Sequence, residues 1–218
     1  MPTDDYDETA FLIGDILDDD QETAGTGLET DHKPARRALR RQARRRFERV
    51  AEQEALADII KTPPAPGESI HVVSDARFDF WTWAPQMVRW IGRTEAFYCS
   101  TWTASRVNVV EFFELWDAGQ IGVGHFLTGT YFKRRETAVY TLLLEGIRAR
   151  GGRYRAFQNH AKVMLLDNAQ AGAWITVEGS ANLTSNPRTE QYVITNERRL
   201  WEFHRQWMEE AFSAPART

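Results

Sequence analysis

His160 and Lys162 stand two residues apart in the run Asn159-His160-Ala161-Lys162-Val163-Met164-Leu165-Leu166-Asp167, whose second half is apolar enough for a buried strand. Residues two apart on a strand share a face, so an imidazole and an ammonium are expected side by side. A second apolar run, Trp174 to Glu178, leads into Gly179-Ser180-Ala181-Asn182, where Ser180 and Asn182 have the same spacing. If that chain stays extended, the adjacent strand adds a hydroxyl and a carboxamide to the pair. A nucleophile or base, a fixed cation, a hydroxyl and an amide donor suit a phosphate oxyanion. Lys and Asn neutralise and hold non-bridging oxygens while the imidazole reaches phosphorus. His160 alone would read as an ordinary structural histidine. Its company, with Glu190 downstream, singles it out.

His-x-Lys-x4-Asp (His160, Lys162, Asp167) followed by Gly-Ser-x-Asn (Gly179, Ser180, Asn182) resembles the signature of the phospholipase D superfamily. Glu190 fits that family's habit of placing a carboxylate after the Asn. The resemblance is one of motif over 159–192 and of compatible element order over 70–158; residues 1–67 lie outside it. It implies phosphodiester chemistry with no metal and no cofactor, in two steps: a histidine attacks phosphorus to give a phosphohistidine, and water or another alcohol then releases the product. Residue by residue, it implies that His160 is the nucleophile, that Lys162 and Asn182 bind phosphate oxygens, and that Ser180 adds a hydrogen bond. Glu190 is the candidate to orient the His160 ring. Gly179 is a motif position, and Asp167, five residues from Lys162, points off that face and is expected to be structural.

The family's site needs two copies of the motif. His32, His71, His125 and His204 are not followed two residues on by Lys, so one chain holds one copy. The resemblance therefore implies a homodimer, as in the family's short single-motif nucleases, with His160 from each chain in one site on the two-fold axis. One imidazole must be neutral and the other protonated, which predicts a bell-shaped pH–rate profile. The expected function is a nuclease cleaving DNA or RNA. The alternatives are a non-hydrolytic nucleic-acid or phosphate-binding module using the same pocket, and a phospholipid hydrolase or transferase.

The elements that must position this set follow from pattern. Short apolar runs predict strands at 70–73, 95–100, 121–127, 154–157, 161–167 and 174–178; helical periodicity predicts helices at 85–91, from Ser105 to Gly119, at 133–150 and at 197–212. Strands alternating with helices, then two adjacent strands, argue for an α/β domain: a mixed β-sheet flanked by helices, a phospholipase D-like half spanning 68–218. Trp102, Trp116, Trp174 and Trp201 read as core. Phe78, Phe80, Trp81, Trp83 and Trp90 read as core or interface packing before base stacking.

Charge divides what precedes that domain. The chain has 218 residues and a net charge of −4, yet residues 1–31 hold eleven acids and no Lys or Arg. Residues 1–32 are expected to be an acidic, flexible leader with a protein partner or an autoinhibitory docking role open to it. Residues 33–61 read as a basic helix in which Arg36, Arg37, Arg40, Arg41, Arg44 and Arg45 form one stripe, either tracking nucleic-acid phosphates or solvated. Residues 62–67, Thr-Pro-Pro-Ala-Pro-Gly, read as a stiff linker. The single cysteine, Cys99, excludes an internal disulfide and a Cys-based zinc site. No run approaches the roughly 20 apolar residues of a membrane span, so a cytoplasmic protein without membrane insertion is expected.

Overall fold

The computed structural model describes residues 44–50, 56, 60–75, 79–184 and 188–215, with the backbone alone for 44–50 and for Asp75. The elements are strands β1 (Arg44–Val50), β2 (Glu68–Asp75) and β3 (Thr94–Ser100), then β4 (Ile121–Gly129), β5 (Arg153–Phe157), β6 (Val163–Asn168), β7 (Ala173–Gly179) and β8 (Thr189–Asn196). The helices are α1 (Trp83–Ile91), entered through a 3-10 turn at Phe80–Thr82, α2 (Arg106–Asp117), α3 (Thr130–Arg135), α4 (Thr137–Ala149) and α5 (Arg198–Ser213).

The strands form one sheet in the order β1-β2-β8-β7-β6-β3-β4-β5. The outer pairs β1–β2, β3–β4 and β4–β5 are parallel, whereas β2–β8, β8–β7, β7–β6 and β6–β3 are antiparallel. The domain is thus an α/β fold with a mixed sheet. On one face, α1, α2 and α4 bury Trp83, Met87, Phe112 and Leu143 against Met164, Ile175 and Ile194. On the other, α5 seats Trp201 and Met208 on Tyr98, Leu127 and Leu165. Period-2 alternation explains the division: in β6, Met164 and Leu166 face the first layer while Val163 and Leu165 face the second.

Local chemistry sets the boundaries. Ser105 caps α2, its hydroxyl accepting from the Asn108 amide at 3.3 Å, and Gly119 takes φ +74° just after the helix. The expected helix at 133–150 is two helices, because Glu136 (φ −112°, ψ 47°) leaves the helical region between α3 and α4. Phe80, Trp81 and Trp83 lie in the core and Trp90 packs against it; Phe78 lies outside the described residues.

Two differences from sequence expectation concern the sheet. Thr189–Asn196, given no strand above, is β8 and sits between β2 and β7. Residues 44–50, expected in the middle of the basic helix, form β1 instead, so Arg44 and Arg45 begin an edge strand and the sheet extends N-terminal to residue 68. The physical reason is tertiary: pairing with β2, already anchored in the sheet, adds a long-range ladder along the segment, and that outweighs the few tenths of a kcal/mol per residue of helix propensity. Arg36, Arg37, Arg40 and Arg41, together with the acidic leader, lie outside the described residues. The 62–67 segment runs against the end of β8, with the Gly67 amide donating to Asn196 O at 2.7 Å and the Asn196 carboxamide to Pro64 O at 3.1 Å.

Candidate active site

The parallel strands β3, β4 and β5 end at the same edge of the sheet where β6 and β8 begin and β7 ends, by register: Ser100 pairs with Val163, and Val163 with Glu178. Crossover loops gather at such strand ends, which makes them the usual place for chemistry in a mixed α/β sheet. His160 and Lys162 lie in the approach to β6 rather than inside it. Hydrogen bonds from side chains replace the ladder here. Asn159 Oδ1 accepts from the Ala161 amide at 3.1 Å, and Ser100 Oγ donates to Ala161 O at 3.1 Å. Asn159 is buried and its Nδ2 donates to Ser100 Oγ at 2.9 Å, so a single carboxamide clamps the His160 loop onto the end of β3.

His160 is exposed, whereas Lys162 is buried. The Lys162 ammonium lies 2.9 Å from His160 Nδ1 and donates to His160 O at 2.7 Å. Burial lowers the Lys162 pKa, and the negative charge of Glu190 opposes that shift. The ladder brings the remaining groups to the same place. The Gly179 amide donates to Lys162 O at 3.2 Å, which sets the end of β7 beside the lysine. Gly179 also makes room: a Cβ there would come within 2.9 Å of the Tyr192 ring. Ser180 follows, its amide donating to Gln191 O at 3.1 Å and its hydroxyl to the buried Glu190 carboxylate. Asn182 is half-buried, and its Oδ1 accepts from the Trp102 amide at 3.3 Å, leaving the Nδ2 donor for another partner.

Lys162, Ser180 and Glu190 are therefore gathered with His160 at one end of the sheet, and Asn182 continues from Ser180. The hydrogen bond that Glu190 accepts comes from Ser180, so in this chain its carboxylate is coupled to the serine and the lysine. Asp167 stands apart from this cluster. Its Oδ1 accepts from the Ala96 amide at 2.8 Å and from Thr94 Oγ1 at 3.3 Å, joining β6 to β3, while burial raises its pKa. Among the described residues, no three His, Cys, Asp or Glu side chains converge where a cation would sit. The Cys99 thiol is buried in the core and pushed up in pKa by that burial.

Two residues of the site carried no signal in their spacing. Trp102 is half-buried and not core; its ring lies 5.6 Å from the His160 ring and stacks on Tyr131 at 4.5 Å with 15° between the planes. These rings, with Gly129 and Asn159, line a cleft of about 360 Å³ beside the imidazole. The cleft brings open space to the exposed His160 ring, and the Lys162 ammonium lies against the same ring.

No protein-family model matches the chain, and no curated protein matches it. Among solved structures it is similar to a polyphosphate kinase from Porphyromonas gingivalis, at 15% identity and a TM-score of 0.42, over 58% of this chain and 23% of that one. It is also similar to TrmBL2, an archaeal chromatin protein, at 8% identity and a TM-score of 0.42, over 68% of this chain and 55% of that one. The chain thus spans under a quarter of the first protein and just over half of the second. No helix among the described residues is long and apolar enough to cross a membrane.

Proposed function

We propose that the chain is a metal-independent phosphodiesterase of phospholipase D type, acting through a phosphohistidine on His160 and cleaving nucleic acid. One observation carries the reading: an exposed imidazole in 2.9 Å contact with a buried ammonium, at the strand ends where Ser180, Asn182 and Glu190 emerge. A phosphate docked against the exposed His160 ring offers its oxygens to Lys162 Nζ and Asn182 Nδ2. The ammonium then exchanges its contact with the ring for one with the phosphate, and the imidazole lone pair is released. The ring nitrogen forms a bond to phosphorus while the bond from phosphorus to the leaving oxygen breaks. His160 of a second copy, in its protonated form, donates the proton that oxygen needs; the same ring later takes a proton from water as the water oxygen bonds to phosphorus and the bond from phosphorus to the first ring nitrogen breaks.

The test uses purified full-length protein with single-stranded DNA, plasmid, RNA and phospholipid vesicles in EDTA. Strand cleavage should persist in EDTA and vanish in His160→Ala. An acid-labile, base-stable phosphoryl label should be trapped on the parent protein and not on that variant. A strict need for a divalent cation, or full activity in His160→Ala, ends the proposal. Salt-sensitive binding without cleavage returns the site to a binding module. If the arginines at 36–41 track phosphates, each one replaced should lower the salt slope of binding by about 1.

A further inference from the structure

The ring stack beside His160 continues into a second cleft. This one, about 470 Å³, is lined by Tyr131 and by Arg106, Arg135, Glu136, Val139 and Thr184. Tyr131 therefore borders both clefts. At 37% it is among the most exposed large apolar side chains of the described residues, and Arg135 fastens its hydroxyl edge. An exposed aromatic normally lowers its free energy by covering its face. Here the polypeptide stacks Trp102 against Tyr131, holds the Arg135 guanidinium 5.5 Å from the ring centroid, and leaves the residue on the border of the second cleft, where a base would share the ring with that guanidinium.

Charge around it favours an anion. Arg106 and Arg135 face Glu136 on the lining, and α3 ends in three consecutive exposed cations, Lys133, Arg134 and Arg135. A ring platform edged by guanidinium groups, one ring away from a phosphate-holding pair, is how proteins hold single-stranded nucleic acid. We infer that Trp102 and Tyr131 form a stacking platform that seats an unpaired base of a single strand in the second cleft, with Arg106 and Arg135 on its phosphates, while a neighbouring phosphodiester lies at His160. The inference rests on the phosphodiesterase reading of that site and adds the substrate class. Duplex is disfavoured because its base faces are already covered by their neighbours.

Binding, measured apart from cleavage, tests it. Full-length His160→Ala protein is titrated with oligothymidylate, with an abasic oligomer carrying the same number of phosphates, and with duplex of equal length. The platform predicts that oligothymidylate binds tightest. Tyr131→Ala and Tyr131→Leu in that background should each weaken oligothymidylate binding about 10-fold and leave the abasic oligomer unchanged. Tyr131→Phe should keep the affinity within about 2-fold, because the ring face remains. Arg135→Ala should weaken both single strands alike and lower the salt slope by about 1. Equal affinity for the base-bearing and abasic oligomers, or equal losses on both in the Tyr131 variants, overturns the platform. The two proposals fail separately. Base-dependent binding by a parent protein that never cleaves defeats the phosphohistidine reading alone. Cleavage by the parent protein that is indifferent to bases and to Tyr131 defeats the platform alone.

Discussion

Lys162 is pulled in two directions. Burial favours its neutral amine, while holding a phosphate oxygen needs the ammonium, and Glu190 supplies the charge that counters the burial. In Glu190→Gln that support is lost and the lysine pKa falls further. The ammonium is then lost at a lower pH, so the Lys162 titration followed by NMR should move down relative to the parent protein. An unmoved titration would separate Glu190 from Lys162. Asn182 offers a cleaner deletion: its Oδ1 is taken by the Trp102 amide, so the donor directed elsewhere is Nδ2. Asn182→Ala should lower single-turnover cleavage about 10²–10³-fold if that donor meets developing charge. Asn159 acts one step back. Asn159→Ala leaves the buried Ser100 hydroxyl and the Ala161 amide short of partners, which should cost about 1–3 kcal/mol in urea unfolding and loosen the His160 loop.

Elements, not residues, decide how closely the helices approach the sheet. A Cβ on Gly124 of β4 would lie 2.5 Å from Phe112 Cζ and 2.8 Å from Trp116 Cζ3, both on α2. Phe112 is fully buried and has no room to retreat. Gly124→Ala should therefore destabilise by about 1–3 kcal/mol, although alanine is the less flexible residue in the unfolded chain. A second network joins β3, β4, β5 and α5. Glu209 accepts from Arg153 at 2.5 and 2.6 Å and from the Tyr98 hydroxyl at 2.7 Å, while His125 Nδ1 accepts from the Arg153 amide at 3.1 Å. Burial, then the Arg153 charge, pushes His125 down to about 4; hydrogen bonds from Arg153 hold Glu209 at about 2. Both groups bind fewer protons folded than unfolded, so both contributions are lost as the pH falls. The urea midpoint should drop in two stages, from about pH 6.5 toward 4 for His125 and below about 4.5 for Glu209. Glu209→Gln should remove the lower stage and leave the upper one.

At the scale of the whole molecule, the expected reaction needs more groups than one chain supplies. A single His-x-Lys motif gives one imidazole, and the two-step chemistry uses two. Pairing of two chains follows from the proposed function, and subunit mixing checks it. With free exchange and a strict need for both imidazoles, adding an equal amount of His160→Ala protein should cut the activity per total protein to about one quarter, because only about one dimer in four then carries both imidazoles. Activity that merely dilutes in proportion would mean that each chain works alone.

Residue types and spacing alone determined the α/β class, most of the strands and helices, and the candidacy of His160, Lys162, Ser180, Asn182 and Glu190, because period-2 alternation and a spaced polar set are local properties. The odd offset of Asp167 from Lys162 turns it to the other face, where it meets the Ala96 amide. Tertiary structure alone decided β1 and β8. A ladder is satisfied by a partner strand far away in sequence, and no local pattern in Arg44–Val50 reveals that β2 offers a free edge. It also decided that Trp102 and Tyr131 meet beside the imidazole. Those rings come from loops and helices after different parallel strands, and only the order of those strands in the sheet brings them to His160.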